Sequence, residues 1–250
     1  MDFIGLTVND GVARIALHRG KVNAINEKVV DELTDCLRNL SYDPAVKAVI
    51  LTGEGKFFTF GFDIPEFLGY SKAAFIRYLT KFTGLYTDVF LYPKAVVAAL
   101  NGHTIAGGCM LAIACDYRIM VQDDAKISLN EINFGSSVFA GSVEMMKLWL
   151  GQRNAESALL SGAMYSAEQA FEIGLIDEVV SKDDLDSKAR KKALEYALQD
   201  TAAFMSIKKL LRNPTAEEMM KREKASILEF VDIWYSEKTW NNLKEKVIRS

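Results

Sequence analysis

Short apolar runs of strand length alternate with helical patterns between residues 46 and 121, and this alternation limits the possible folds of the chain more than any other feature. VKAVILTG (46–53) leads to a helical segment from about Ala73 to Leu91. AVVAALNG (95–102) leads through Gly107-Gly108 to a second helix, and DYRIMV (116–121) follows. Strands that are apolar on both faces and separated by helices predict βαβ crossovers and a parallel sheet covered on both sides. Upstream, FIGLTV (3–8) and VARIAL (12–17) flank Asn9-Asp10-Gly11, residues that tolerate left-handed backbone, so a hairpin is expected. From Glu27 to about Leu40, Val29, Val30, Leu33, Cys36, Leu37 and Leu40 recur at helical spacing behind a cap at Asn26.

Past residue 140 the pattern becomes almost continuous helix, with segments at 183–200, 203–212 and 215–233. Asn213-Pro214 is expected to break the last pair, and Thr215 with Glu218 fits a capping box for a new helix. The stretch 236–248 places Trp240, Leu243 and Val247 on one stripe. A soft boundary near residue 200 separates an α/β core from a helical C-terminal part. Its apolar stripes suit packing on the chain's own core or a subunit interface.

The 250 residues are half hydrophobic and a quarter charged, enough for one large core. A formal net charge of −3 argues against a general nucleic-acid binder, which needs surplus Lys and Arg on one face. No stretch has the length of a bilayer span, and the N-terminal residues lack the pattern of a signal or transit peptide, so a cytoplasmic protein is expected. The C-terminal residues are not a peroxisomal signal of the SKL type. Cys36, Cys109 and Cys115 have no metal-ligand spacing, and the chain holds only His18 and His103, which leaves no His-rich metal site.

Two short stretches carry chemistry. In NGHTIAGGCM, Gly107 and Gly108 stand where a strand turns into a helix, and the first amides of a helix have no internal partners. A bare backbone there admits an anion or oxyanion to those amides, or simply permits a tight turn. In KFFTFGFDIPEFL (56–68), Asp63 with Glu66 and Pro65 reads as a helix cap. Phe57, Phe58, Phe60 and Phe62 cluster around Gly61, as in a loop that lines a pocket or a core. Two amides from separate loops converging on one oxygen make an oxyanion hole.

KVNAINEKVVDEL (21–33), FTFGFDI (58–64), AALNGHTIAGGCMLAIACDYRIM (98–120), SLNEINFG (128–135) and LSGAMYSAEQAFEIGLIDEVV (160–180) together resemble the crotonase, or enoyl-CoA hydratase/isomerase, superfamily. The resemblance implies an α/β fold: a spiral of ββα units over residues 1–200, with a C-terminal helical trimerisation region over 201–250. It also implies an acyl-CoA thioester as substrate, no separate cofactor because CoA belongs to the substrate, and a homotrimer or dimer of trimers. By similarity the oxyanion amides fall on Phe62 and Gly107, with Phe60, Gly61 and Gly108 beside them. Lys21, Val22 and Ala24 match the segment that borders the CoA adenine.

Departures from the family pattern select the reaction. Hydratases of the family carry two catalytic glutamates, and the first position here is Met110; the second corresponds to Glu131. Adding water to a 2-enoyl thioester divides water activation and proton delivery between two carboxylates, whereas moving a double bond from C3 to C2 needs one base. The setting of Glu131 and the apolar residue after Gly-Gly-Cys look most like 3,2-enoyl-CoA isomerases of this superfamily. Phe134, Val138 and Phe139 are expected as apolar walls around Glu131, and Asn130 and Asn133 either orient it or are loop polarity. Apart from the resemblance, Glu131 reads as a solvated loop residue. His103 either touches the acyl pocket or is structural. Lys208 and Lys209 either meet CoA phosphates or form a solvated helix face. The rival readings are a hydratase with a carboxylate recruited from elsewhere, a dienoyl-CoA isomerase or hydrolase, and a non-catalytic binding protein of the same fold.

Overall fold

The structure is a computed structural model, and it describes residues 1–247. The expected hairpin is present: β1 (Ile4–Asn9) pairs antiparallel with β2 (Val12–Leu17) across Asp10 and Gly11, both at positive φ. Helix α1 (Glu27–Tyr42) follows, its Asn26 side chain accepting from the Val29 amide. Then come β3 (Ala48–Gly53), β4 (Phe57–Thr59), the short α2 (Ile64–Phe67) and α3 (Lys72–Phe90). Next are β5 (Ala95–Leu100), β6 (His103–Ile105) and α4 (Gly107–Ala114). The third set is β7 (Tyr117–Val121), β8 (Ile127–Ser128), a 3-10 turn (Glu131–Phe134) and α5 (Ala140–Ser161), kinked at Gly151. The chain ends with α6 (Ala167–Glu172), β9 (Glu178–Val180), α7 (Leu185–Ala197), α8 (Thr201–Trp234) and α9 (Glu237–Val247).

Three times in succession a strand enters a large sheet, the next enters a small one, and a helix returns. The large sheet has the order β1-β2-β3-β5-β7-β9 and is parallel from β2 onward; the small sheet is β4-β6-β8, also parallel. This repeat is the spiral of ββα units. β3 and β5 are buried at every residue, which is why their sequences are apolar without alternation. Among the described residues no helix is long and apolar enough to cross a membrane.

Two expectations for the C-terminal half are corrected. Residues 201–234 form a single helix with Pro214 inside it, so Thr215 caps nothing. Proline removes one amide donor and crowds the carbonyl four residues back. That carbonyl belongs to Leu210, which lies on the exposed face where water can take it. On either side of the proline, buried Arg212, Ala216 and Met219 hold the helix to the core, and this tertiary packing overrides the local break. The near-continuous helical pattern also conceals β9, whose three residues extend the large sheet beside β7. The stripe of α9 is confirmed at Leu243, which is fully buried, and at half-buried Trp240; the side chain of Val247 lies outside the described residues.

Lys208 is not on a solvated face. It is 5% exposed, and its ammonium meets Asp116 Oδ2 at 2.8 Å, while Arg212 meets Asp116 Oδ1 at 3.0 Å. Burial pushes the Lys208 ammonium down to about 8. Lys209 remains exposed. Arg212 also donates to Phe90 O, Ala114 O and Cys115 O, placing a cation at the C-terminal end of α4, where the helix dipole favours one. Asp116 in turn accepts from the Val96 amide of β5. Removing this carboxylate leaves two buried cations without it, so Asp116→Ala is expected to cost about 3–5 kcal/mol in urea unfolding.

Candidate active site

The three parallel strands of the small sheet end at the same edge, and each leads into one expected part of the site. β4 ends at Thr59, β6 at Ile105 and β8 at Ser128, in register through Thr59 with Thr104 and Ile105 with Ser128. Beyond them lie Phe62, Gly107 and Glu131. Carboxyl ends of parallel strands are where open α/β folds place ligands.

The first loop is held from behind by the segment 22–25. The Phe60 amide donates to Val22 O, Ile25 N to Gly61 O, and Asp63 N to Ile25 O. In this parallel bridge Ile25 uses the residues on either side of Phe62, so the Phe62 amide points away from Ile25 and is not spent on it. Arg19 locks the arrangement: it donates to Ala24 O and pairs with Asp63 at 2.6 Å and Glu66 at 3.3 Å. Asp63 caps α2 through the Glu66 amide as expected, but the Glu66 carboxylate goes to Arg19, Asn26 and Tyr70 instead of back to the cap.

The second loop begins with Ala106 at φ 52°, a non-glycine residue in left-handed territory. It turns the chain so that α4 opens at Gly107, and the first helical bond runs from Met110 N to Ala106 O. The amides of Gly107, Gly108 and Cys109 are thus the free donors of the first turn. Both glycines are also demanded by packing. A Cβ on Gly107 would lie 2.9 Å from the Phe62 ring, and one on Gly108 would lie 2.6 Å from Thr59 O. Gly61 has φ +89°, and a Cβ there would meet Ile105 O at 2.8 Å and Gly107 N at 3.1 Å. The bare backbone therefore lets the two loops touch, the packing role considered from the sequence.

Glu131 opens the 3-10 turn and is 4% exposed, with its Oε2 buried and unpaired. Burial pushes its carboxyl up to about 8, opposed by its own backbone amide. Its charge also helps raise the Cys109 thiol of α4, after burial. Met110 is wholly buried in the same helix. The Phe62 ring packs on Phe82 at 4.8 Å, Tyr78 at 5.4 Å and Phe139 at 6.3 Å between centroids, giving the loop an apolar wall.

The remaining sequence candidates divide. Lys21 is exposed, while Val22 and Ala24 are half-buried with carbonyls committed to Phe60 and Arg19. Phe60 is half-exposed and packs edge-on against Phe57. Phe134 is half-buried. Asn133 donates to Gly162 O and so anchors the turn. His103 stacks on Phe57 at 5.2 Å and accepts from Lys126 N through Nδ1, the structural alternative. Sequence reasoning missed Arg19, Thr59 and Ala106, whose roles depend on partners far away in the chain or on a single dihedral angle.

These features make a candidate site of loop backbone and one desolvated carboxylate at the edge of a ββα spiral. The Enoyl-CoA hydratase/isomerase family model matches residues 7–244, and the chain belongs to that family, the crotonase superfamily. It is 33% identical over 223 residues to the mitochondrial enoyl-CoA delta isomerase 1 of Mus musculus, covering 88% of this chain and 77% of that one. It is 32% identical over 219 residues to the carnitinyl-CoA dehydratase of Escherichia coli K12, covering 87% and 82%. The crystal structure of the human mitochondrial delta3-delta2-enoyl-CoA isomerase superposes with a TM-score of 0.93 at 26% identity, covering 98% of this chain and 97% of that one.

Proposed function

We propose that the protein is a 3,2-enoyl-CoA isomerase with Glu131 as its sole proton carrier. The observation that carries this reading is the pairing of one buried, unpaired carboxylate with Met110 at the place where a second carboxylate would stand. The Glu131 carboxylate removes a proton from C2 of a 3-enoyl thioester; the C–H electron pair forms a C1–C2 double bond and the carbonyl pair moves onto the thioester oxygen, giving a dienolate. The Phe62 and Gly107 amides hold that oxygen as the dienolate forms, aided by the N-terminal end of α4. Glu131, now protonated, returns the proton to C4, leaving the double bond between C2 and C3. A carboxyl raised toward working pH suits a group that must both take and give the proton. The aromatic wall of Phe62, Phe82 and Phe139 supports this by keeping water from the intermediate.

The mouse and human isomerases named above support the same reaction for this chain, and an acyl-CoA substrate follows from it. Lys21, Val22 and Ala24 flank the Phe60–Phe62 loop and would border the CoA moiety. The outer face of α8 exposes Ile207, Leu210 and Leu211, which supports self-association, expected as a trimer or a pair of trimers in light scattering.

The test is conversion of 3-hexenoyl-CoA followed by ultraviolet absorbance and mass. Isomerisation produces the conjugated thioester at unchanged mass, and water addition to 2-hexenoyl-CoA is expected to be far slower. A faster water addition would return the hydratase reading. Met110→Glu is expected to raise that water addition above the native rate, measured as the hydrated product, while costing stability because a carboxyl is then buried.

A further inference from the structure

We propose that helix α9 positions the candidate base, with Thr239 and Asn242 as positioning residues of the site. Thr239 is 2% exposed, and its hydroxyl donates to Gly135 O at 2.6 Å; Asn242 Nδ2 donates to Phe134 O at 3.3 Å. Both acceptors lie at the exit of the four-residue turn that Glu131 opens, and the Ser136 amide closes back on Glu131 O at 3.0 Å. A 3-10 turn this short has poor internal hydrogen-bond geometry and little rigidity of its own. Its entry at Asn130 has no side-chain cap, and besides α9 the bond from Asn133 to Gly162 O anchors it. Gly135 is at φ +79°, and a Cβ there would lie 3.3 Å from Thr239 Oγ1 and 3.5 Å from Asn242 Nδ2, so the turn is shaped to receive this helix.

The same C-terminal segment holds the opposite side of the site. Tyr235, at the junction of α8 and α9, donates to Tyr70 O at 2.6 Å and stacks on Trp240 at 5.1 Å. Tyr70 follows α2, which continues the Phe62 loop, and its hydroxyl donates to Glu66 at 3.0 Å. One end of this segment is thus fastened to the side carrying the oxyanion amides and the other to the side carrying the carboxylate. Leu243, wholly buried directly after Asn242, anchors the helix. The distance from base to amides depends on a contact more than 100 residues downstream. The raised carboxyl of Glu131 accords with a turn pressed into a dry setting.

The catalytic consequence rests on Glu131 being the base, and the experiment separates the two ideas. Thr239→Val keeps the shape and removes the donor; Thr239→Ser restores it; Asn242→Leu removes the second bond at a half-exposed position. The expected result for Thr239→Val is a loss in kcat of about 10²-fold with KM changed less than about twofold, because a misplaced reacting group costs rate more than binding. Thr239→Ser should recover most of it. The Glu131 carboxyl, titrated by infrared difference against Glu131→Gln in each background, should move down from about 8 in Thr239→Val as water reaches it. Native kcat and an unmoved titration in both Thr239→Val and Asn242→Leu, with only a lower melting temperature, would overturn the proposal. A moved titration together with full activity in Glu131→Gln would leave α9 as the positioning element and remove Glu131 as the base.

Discussion

Glu131→Gln is expected to lower kcat for 3-hexenoyl-CoA by about 10⁴-fold, the upper range for loss of a general acid-base group, because no second carboxylate replaces it. Glutamine preserves the shape and the burial, so the bound thioester should be held as before and KM should stay close to native. Two accompanying measurements identify the cause. In the native enzyme kcat/KM should rise with pH and level off above about 8, where the carboxylate is ionised. The profile should show no falling limb from a second group, since none is required. The second measurement is stability. The folded state keeps a proton on Glu131 that the unfolded chain, with an ordinary value of 4.5, has already released. Stability from this group is therefore fully present below pH 4.5 and is lost as pH rises toward 8. Glu131→Gln removes the penalty, so the variant should melt higher than native at pH 9 and not at pH 4. A dead enzyme that is more stable at high pH is the signature of a base held in a dry site.

Gly61→Ala is expected to lower kcat by about 10²- to 10³-fold, the cost of losing one oxyanion donor. The position has φ +89°, and its new methyl would press on Ile105 O and Gly107 N. Both are backbone atoms that cannot turn aside, so the Phe62 loop must move away from the opening of α4. The two amides then no longer face one oxygen. Because the Phe62 donor is a main-chain group, only proline at Phe62 would remove it, with loss of the ring, and Gly61 is the position through which it can be displaced with the ring kept. The matching control is Phe60→Ala. Its ring is half-exposed one residue earlier, and its loss leaves the hydrogen bonds of the Phe60 amide and Gly61 carbonyl in place. It should change kcat much less than Gly61→Ala does.

Much of the core was legible in the sequence because burial on both faces leaves a mark that needs no partner to interpret. β3 and β5 are apolar runs, and α1 announces itself by its spacing and its Asn26 cap. The glycines of both loops were also legible, and the close approach of the two loops is what requires them. Glu131 was legible only through resemblance: a lone glutamate after a two-residue strand carries no local sign of being buried. Elements governed by distant contacts were hidden or misleading. Pro214 signals a break, yet Arg212 and Met219 keep α8 continuous across it. Lys208 has the composition of a solvated face, and only the fold brings Asp116 beneath it from 92 positions away. β9 has three residues, too few for a period of two to be read. Arg19, Thr239 and Asn242 secure the two sides of the site through bonds to main-chain carbonyls and to a loop carboxylate, contacts that leave no pattern around the donor.

The most direct test of a single proton carrier uses 3-hexenoyl-CoA carrying deuterium at both C2 positions, turned over once in ordinary water, with the product read by mass and NMR. If Glu131 takes the label from C2 and returns it within a dry site, the 2-enoyl thioester will carry deuterium at C4. A conjugated product with no deuterium at C4 would show that the label is not carried within a dry site from C2 to C4, and the account of Glu131 as a sole, shielded carrier would fail.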